Sequence, residues 1–184
     1  MDYEGNTNKR KRSLIADFAG NTSSASAPAS ALGGQFEVFL SCEASINLSH
    51  LIYRDFSDSL YHSLEDAGIR TFFDNTEPDS RAEIGPAVLK AINESKIFIP
   101  IFSRDYADSR RCLRELEQMV ECHKTMGNKI LPIFFDSKPS DVRYQMRSYP
   151  YRLHFDKQID QRWKEALRKV EQIKGWELGE EINW

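Results

Sequence analysis

The sequence predicts an α/β fold, a parallel sheet covered on both sides by helices. From residue 35 onward, short apolar runs alternate with longer amphipathic stretches. That alternation belongs to strand–helix–strand units, which lay parallel strands side by side. Lys96-Ile97-Phe98-Ile99-Pro100-Ile101-Phe102 is almost continuously apolar, as expected of a strand buried on both faces. The segments at 41–50, 74–83 and 103–111, each following a strand, are polar. They fall at the carboxyl ends of the strands, where open α/β sheets bind ligands.

Each element has its own signal. Phe36-Glu37-Val38-Phe39-Leu40 reads as the first strand. Ile52, Phe56, Leu60 and Leu64 recur every four residues and mark an amphipathic helix that stops at Gly68. Ile69-Arg70-Thr71-Phe72-Phe73 is the second strand, and Gly85-Pro86 opens the next helix, with Pro86 in a first turn where its missing N–H costs little. Residues 96–102 form the third strand. A helix follows from Ser109, with Leu113, Leu116 and Val120 on one stripe and Cys112, Glu115, Met119 and Cys122 on the next. Residues 129–135 are a fourth strand. Lys138-Pro139-Ser140-Asp141 turns into a further helix with Ser140 as its cap. Trp163, Ala166, Leu167, Val170 and Ile173 give the apolar face of a last helix, and Trp176-Glu177-Leu178 a short fifth strand.

Composition sets the bounds. The 184 residues suit one domain, over 35–179, with tails at 1–34 and 180–184. Residues 21–34 are rich in Ser, Ala and Gly, and the whole of 1–34 has few large apolar side chains. Such a segment buries too little surface to offset its ordering entropy and is expected to be a flexible tail. The longest apolar runs, such as 130–135, fall far short of the ~20 residues that span a bilayer. Residues 1–13 lack the apolar stretch of a secretory signal, so the chain is expected to be soluble and cytoplasmic. Lys9-Arg10-Lys11-Arg12 admits two readings, a nuclear-import address or a solvated basic patch.

Cys42, Cys112 and Cys122 are an odd number without metal-ligand spacing, and the four histidines are scattered, so no metal site is expected. A net charge of −3 gives no overall attraction to nucleic acid. Arg110, Arg111 and Arg114 sit among Glu115 and Glu117, which favours a solvated helix start over a nucleic-acid contact.

Glu115 is the residue with the most chemical interest. Its helical position sets a carboxylate at the edge of an apolar stripe. There it is either a surface Glu with its stem on the core's rim or a poorly solvated carboxylate suited to act on a substrate.

Several motifs together carry a resemblance. Phe36-Glu37-Val38-Phe39-Leu40-Ser41 resembles the pattern Y-D-V-F-L-S. Ile84-Gly85-Pro86-Ala87-Val88-Leu89-Lys90-Ala91-Ile92-Asn93-Glu94-Ser95 is similar to I-x-P-x-L-x-x-A-I-x-x-S. Tyr106-Ala107-Asp108-Ser109, followed by Cys112-Leu113-Arg114-Glu115-Leu116, resembles Y-A-x-S-x-W-C-L-x-E-L. Pro139-Ser140-Asp141-Val142-Arg143 repeats P-S-D-V-R, and Gly175-Trp176 fits a closing G-W. In this order and spacing they resemble the TIR domain of plant immune receptors.

The resemblance implies a flavodoxin-like five-stranded parallel sheet with helices on both faces. It implies a signalling domain that self-associates with other TIR domains, in the setting of a nucleotide-binding/leucine-rich-repeat receptor. It also implies hydrolysis of NAD+, a substrate and not a cofactor, with release of nicotinamide. Glu115 falls on the family's catalytic carboxylate. A glycosidic bond to a cationic leaving group needs little acid help. It needs a negative charge close by as oxocarbenium character develops. No G-x-G-x-x-G run is present to hold a dinucleotide as a redox cofactor.

The substrate contacts implied by the resemblance are Ser41, Cys42, Glu43, Arg54, Arg81, Ile84, Arg111 and Cys112, and several depart from the pattern. Glu43 stands where the family has an Arg suited to phosphate, and Arg54 lies one place out of register with a second Arg. Arg81 replaces a loop Gly, and Arg111 replaces a Trp. Two readings follow from these changes: an NAD+ hydrolase with altered loops, or a non-catalytic module that pairs with another TIR domain as adaptor or decoy.

Overall fold

A computed structural model describes residues 36–43, 51–73, 84–145 and 157–178. The basic run at Lys9–Arg12, the loop at 74–83 and both predicted tails lie outside the described residues. The strands are β1 (Val38–Ser41), β2 (Thr71–Phe73), β3 (Ile97–Phe102), β4 (Lys129–Ile130), β5 (Ile133–Phe135) and β6 (Trp176–Leu178). The helices are α1 (Leu51–Asp66), α2 (Pro86–Glu94), α3 (Arg110–Met126), α4 (Pro139–Gln145) and α5 (Lys157–Glu171). The sheet runs β2-β1-β3-β5-β6, with β4 also paired to β3, and every pairing is parallel.

The predicted strand over 129–135 is interrupted. Its two halves keep one register against β3, with Ile97 opposite Lys129 and Ile101 opposite Ile133. In that register Pro100 lies level with Pro132, and neither residue has an N–H to give to the ladder. The sheet therefore has five positions, one of them held by β4 and β5 in succession.

Strand alternation divides the core by chemistry. Phe39, Phe98, Phe102 and Phe134 point to one face and pack with Ile92, Leu116, Val120, Trp163 and Leu167 of α2, α3 and α5. Val38, Leu40, Ile99, Ile101 and Ile133 point to the other and pack with Tyr53, Phe56, Leu60 and Leu64 of α1. Period-two alternation of aromatic and aliphatic residues thus sorts ring stacking to one layer. Phe102 and Phe134 stack there at 5.5 Å with planes 14° apart.

Three local expectations need correction. Ile52 is 37% exposed, and Tyr53, at 2%, takes its place on the buried stripe of α1. A phenol suits that position because its hydroxyl donates to the Ile101 carbonyl at 2.7 Å. Ser140 is not a cap, since α4 already starts at Pro139. Asp141 accepts the Lys138 N–H at 3.1 Å instead, so the carboxylate closes that end. The first strand starts at Val38 and not at Phe36. Among the described residues, no helix is long and apolar enough to cross a membrane.

Gly175 precedes β6 at a point of close approach. A Cβ there would collide with the Pro132 carbonyl oxygen and come within 2.8 Å of Phe134 Cε2 and Pro132 Cγ. The Trp176 N–H donates to the same Pro132 carbonyl at 3.0 Å, so backbone cannot shift without losing an edge bond. Gly175→Ala is expected to cost about 3 kcal/mol through overpacking, read as a lower denaturant midpoint with an unchanged slope.

Candidate functional site

Parallel pairing brings the carboxyl ends of β1 and β3 to one edge. Ser41 ends β1, opposite Pro100 of β3. Beyond β3 the chain makes a 3₁₀ turn at Tyr106–Asp108 and enters α3. Ser109 caps that helix by accepting the Cys112 N–H at 3.2 Å. The cap fixes where the helix starts, which places Glu115 under the sheet edge.

Glu115 is 1% exposed. It therefore lies inside the core and not on its rim, which sets aside the surface reading. Both carboxylate oxygens are engaged. Ser41 Oγ donates to Oε2 at 2.6 Å, and Arg111 Nε donates to Oε1 at 2.8 Å. Ser41 Oγ also lies 3.0 Å from Tyr106 Oη. With the serine proton directed to Glu115, the tyrosine is the donor in that second bond. Tyr106 Oη also donates to the Cys112 carbonyl at 3.3 Å, so its one proton is shared between the serine oxygen and that carbonyl. Burial, then the nearby Cys112 and Glu115, push the Tyr106 hydroxyl well above its usual value, so it stays a donor. The result is a buried relay, Tyr106 to Ser41 to Glu115, completed by one cation. Tyr106 lies inside a motif quoted for the family resemblance, yet sequence reasoning gave it no role. A tyrosine just past the carboxyl end of the central strand was the available signal.

The two thiols at the site are walls and not nucleophiles. Burial pushes Cys42 up to about 12, against a hydrogen bond with Ser57 and with a further push from Glu115. Burial, then Glu115, raises Cys112 well above its ordinary value. Neither supplies thiolate near neutral pH.

The remaining predicted contacts separate. Arg111 joins the cluster as the partner of Glu115, with its side chain 15% exposed. Ile84 is half-buried against the aromatic core layer. Arg54 is exposed on α1, away from the contacts that hold Glu115. Arg81 falls outside the described residues. Glu43 is half-buried next to the cluster, and its N–H donates to Tyr53 Oη at 3.2 Å. Its carboxyl oxygen Oε2 is buried with no hydrogen-bond partner among the described residues. Burial, then the carboxylates of Asp105 and Asp108, push the Glu43 carboxyl up to about 7. Those two aspartates follow β3, and their approach to Glu43 was not visible in the sequence.

Glu43 makes stability depend on pH. Its carboxyl holds a proton more tightly in the folded chain than at the ordinary value of 4.5. The contribution is therefore complete below about pH 4.5 and is lost as pH rises through about 7. Glu43→Gln should melt close to wild type at about pH 4.5 and above it at about pH 8. Melting curves across that range check this, and a gap that does not vary with pH would refute the assignment.

Comparison with known proteins identifies the family of the fold. The TIR domain family profile matches residues 35–181. Disease resistance protein RPV1 of Vitis rotundifolia is 37% identical over 162 residues, covering 85% of this chain and 11% of that protein. TMV resistance protein N of Nicotiana glutinosa is 39% identical over 129 residues, covering 66% of this chain and 11% of that protein. The chain thus spans about a tenth of the length of these curated relatives. Among solved structures, the TIR domains of the activated Roq1 resistosome, which directly recognizes the pathogen effector XopQ, match with a TM-score of 0.65 and 32% identity. That match covers 80% of this chain and 90% of the other. The profile runs through every described strand and helix, the sheet is parallel throughout, and the chain belongs to the TIR domain family, in the form carried by plant disease resistance proteins.

Proposed function

We propose that this chain is a signalling domain of plant innate immunity that hydrolyses NAD+ on self-association, with Glu115 as its catalytic carboxylate. The observation that carries the reading is the placement of Glu115. A carboxylate is held at the ligand-binding edge of a parallel sheet by Ser41 and Arg111, at 2.6 and 2.8 Å. A position this constrained is pre-organised, and a negative charge in a dry site acts more strongly on developing positive charge than it would in water.

The chemistry follows from the bond that breaks. The nicotinamide–ribose bond cleaves with its electron pair going to the ring nitrogen, which becomes neutral. The ribose C1′ becomes oxocarbenium-like, and Glu115 stabilises that charge while holding the ribose hydroxyls. Water then adds to C1′ and releases a proton, giving an ADP-ribose-type product. Tyr106 and Ser41 are positioning residues that keep the carboxylate oriented. The Roq1 resistosome supports a self-associating setting, and the family resemblance implies a nucleotide-binding/leucine-rich-repeat receptor as the wider context. Three free, buried cysteines fit a reducing compartment such as the cytoplasm or nucleus.

A second reading is a non-catalytic module that pairs with another TIR domain. It is favoured by the near-complete burial of Glu115 and by Glu43 at the position where the family has an Arg. Nicotinamide release from NAD+ by concentrated, crowded protein separates the two. On the hydrolase reading, Glu115→Ala lowers release at least about a hundredfold while self-association persists. Turnover that survives the change excludes the role given to Glu115. Absence of release from wild type, with association intact, favours the module.

A further inference from the structure

The two edges of the sheet differ in charge. The carboxyl edge mixes signs, with Glu43, Asp105 and Asp108 beside Arg104, Arg110 and Arg111. Over its β3–β6 half the amino edge is basic. Lys96 and Lys129 lie at the starts of β3 and β4, and the Lys129 N–H donates to the Lys96 carbonyl at 3.0 Å. Lys174 lies just before β6, on the next strand position. Helices that join parallel strands run back to this edge, so the last turns of α3 and α5 bring Lys124, Arg168 and Lys169 to it. All six cations are exposed. They outnumber Glu121 and Glu171 of the same two helices, while Glu37 and Glu94 pair with Arg70 and Lys90 at 3.6 and 3.7 Å. At the β2 end of the edge, α1 brings Glu65 and Asp66 instead. The macrodipole accounts for cations in the last turn of a helix. A sheet has little net dipole, so that reason does not extend to Lys96, Lys129 and Lys174. Met126 stands between Lys124 and Lys129, where Gly127, at φ 74°, turns the chain out of α3. At 57% it is the most exposed large apolar side chain among the described residues.

We propose that this half of the amino edge docks on the surface of an anionic phospholipid bilayer, with its cations at the lipid phosphates and Met126 inserted among the headgroups. Anionic lipid attracts basic side chains held close to it, and the attraction fades within a Debye length, about 8 Å at physiological salt. A net charge of −3 gives the chain no general attraction to such a surface. This edge alone supplies it, and so fixes the orientation. The opposite edge, with Glu115 beneath it, then faces solution. Met126 favours a bilayer over a nucleic acid, because only the bilayer offers an apolar layer beneath its phosphates. Such a contact lies on the membrane and needs no helix that crosses it.

The test is sedimentation of the full chain with phosphatidylcholine vesicles, with or without phosphatidylserine, at low and at physiological salt. Wild type should bind only the vesicles that contain phosphatidylserine, and less at the higher salt. Lys96→Ser, Lys124→Ser and Lys129→Ser combined should lower partition about a hundredfold. Met126→Ser should lower it about threefold through lost apolar contact. Lys138→Ser, at an exposed lysine beyond β5 and so at the other edge, should leave it unchanged. These side chains are all exposed, so melting curves that match wild type are expected of every variant. No binding by wild type, an equal loss with Lys138→Ser, or indifference to the triple change would each overturn the docking surface. Tighter binding to duplex RNA than to vesicles, with Met126→Ser silent in both, would overturn the bilayer as its partner.

Discussion

A carboxylate buried beneath the carboxyl edge of a parallel sheet constrains nearly everything around it. Removing an ion from water costs several kcal/mol even after relaxation, so the fold must supply partners with good geometry. Glu115 has them from two directions, a hydroxyl at the end of β1 and a guanidinium one turn back on its own helix. The Ser41 contact exists only because β1 pairs in register with β3, which in turn feeds the 3₁₀ turn and the capped start of α3. A one-residue slip of β1 would turn Ser41 to the opposite face of the sheet. The site is thus a readout of sheet register.

Two carboxyl groups at this edge have opposite environments. Glu115 is buried more completely, yet both of its oxygens are met. Glu43 is only half-buried, yet it faces Asp105 and Asp108 and leaves one oxygen without a hydrogen-bond partner among the described residues. Burial alone therefore does not rank them. The sign of the neighbouring charge does: a cation and a donor compensate one group, and two anions crowd the other. The shared edge is polarised, with Arg111 on the Glu115 side and acidic groups beside Glu43.

The core beneath accounts for the rigidity of this arrangement. Aromatic rings from alternate strand positions fill the layer under α2, α3 and α5, and branched aliphatic residues fill the layer under α1. Cys42 and Cys112, raised out of reach of ionisation, extend that packing to the base of the polar cluster. Small neutral groups there keep water out without adding charge, and the Arg111–Glu115 pair is stronger for it.

The order of elements, the parallel sheet and the buried stripe of α3 were all legible in the sequence. They depend on periodicity, and periodicity is a property of the linear chain. Gly68 marked the end of α1 correctly, since it adopts φ 78°, a conformation that glycine reaches without strain. Misses came where a polar tip decides a position. Tyr53 outranks Ile52 because its hydroxyl reaches a strand carbonyl, and Asp141 closes α4 in place of Ser140. The sequence by itself determined which residue types could do chemistry and at which end of the sheet they fall. Only the tertiary structure decided that Glu115 is buried, that Ser41 and Tyr106 support it, that Arg111 closes over it and that Asp105 and Asp108 crowd Glu43. Those relations join residues from separate elements, and their energies depend on distance and dielectric, which sequence spacing does not encode.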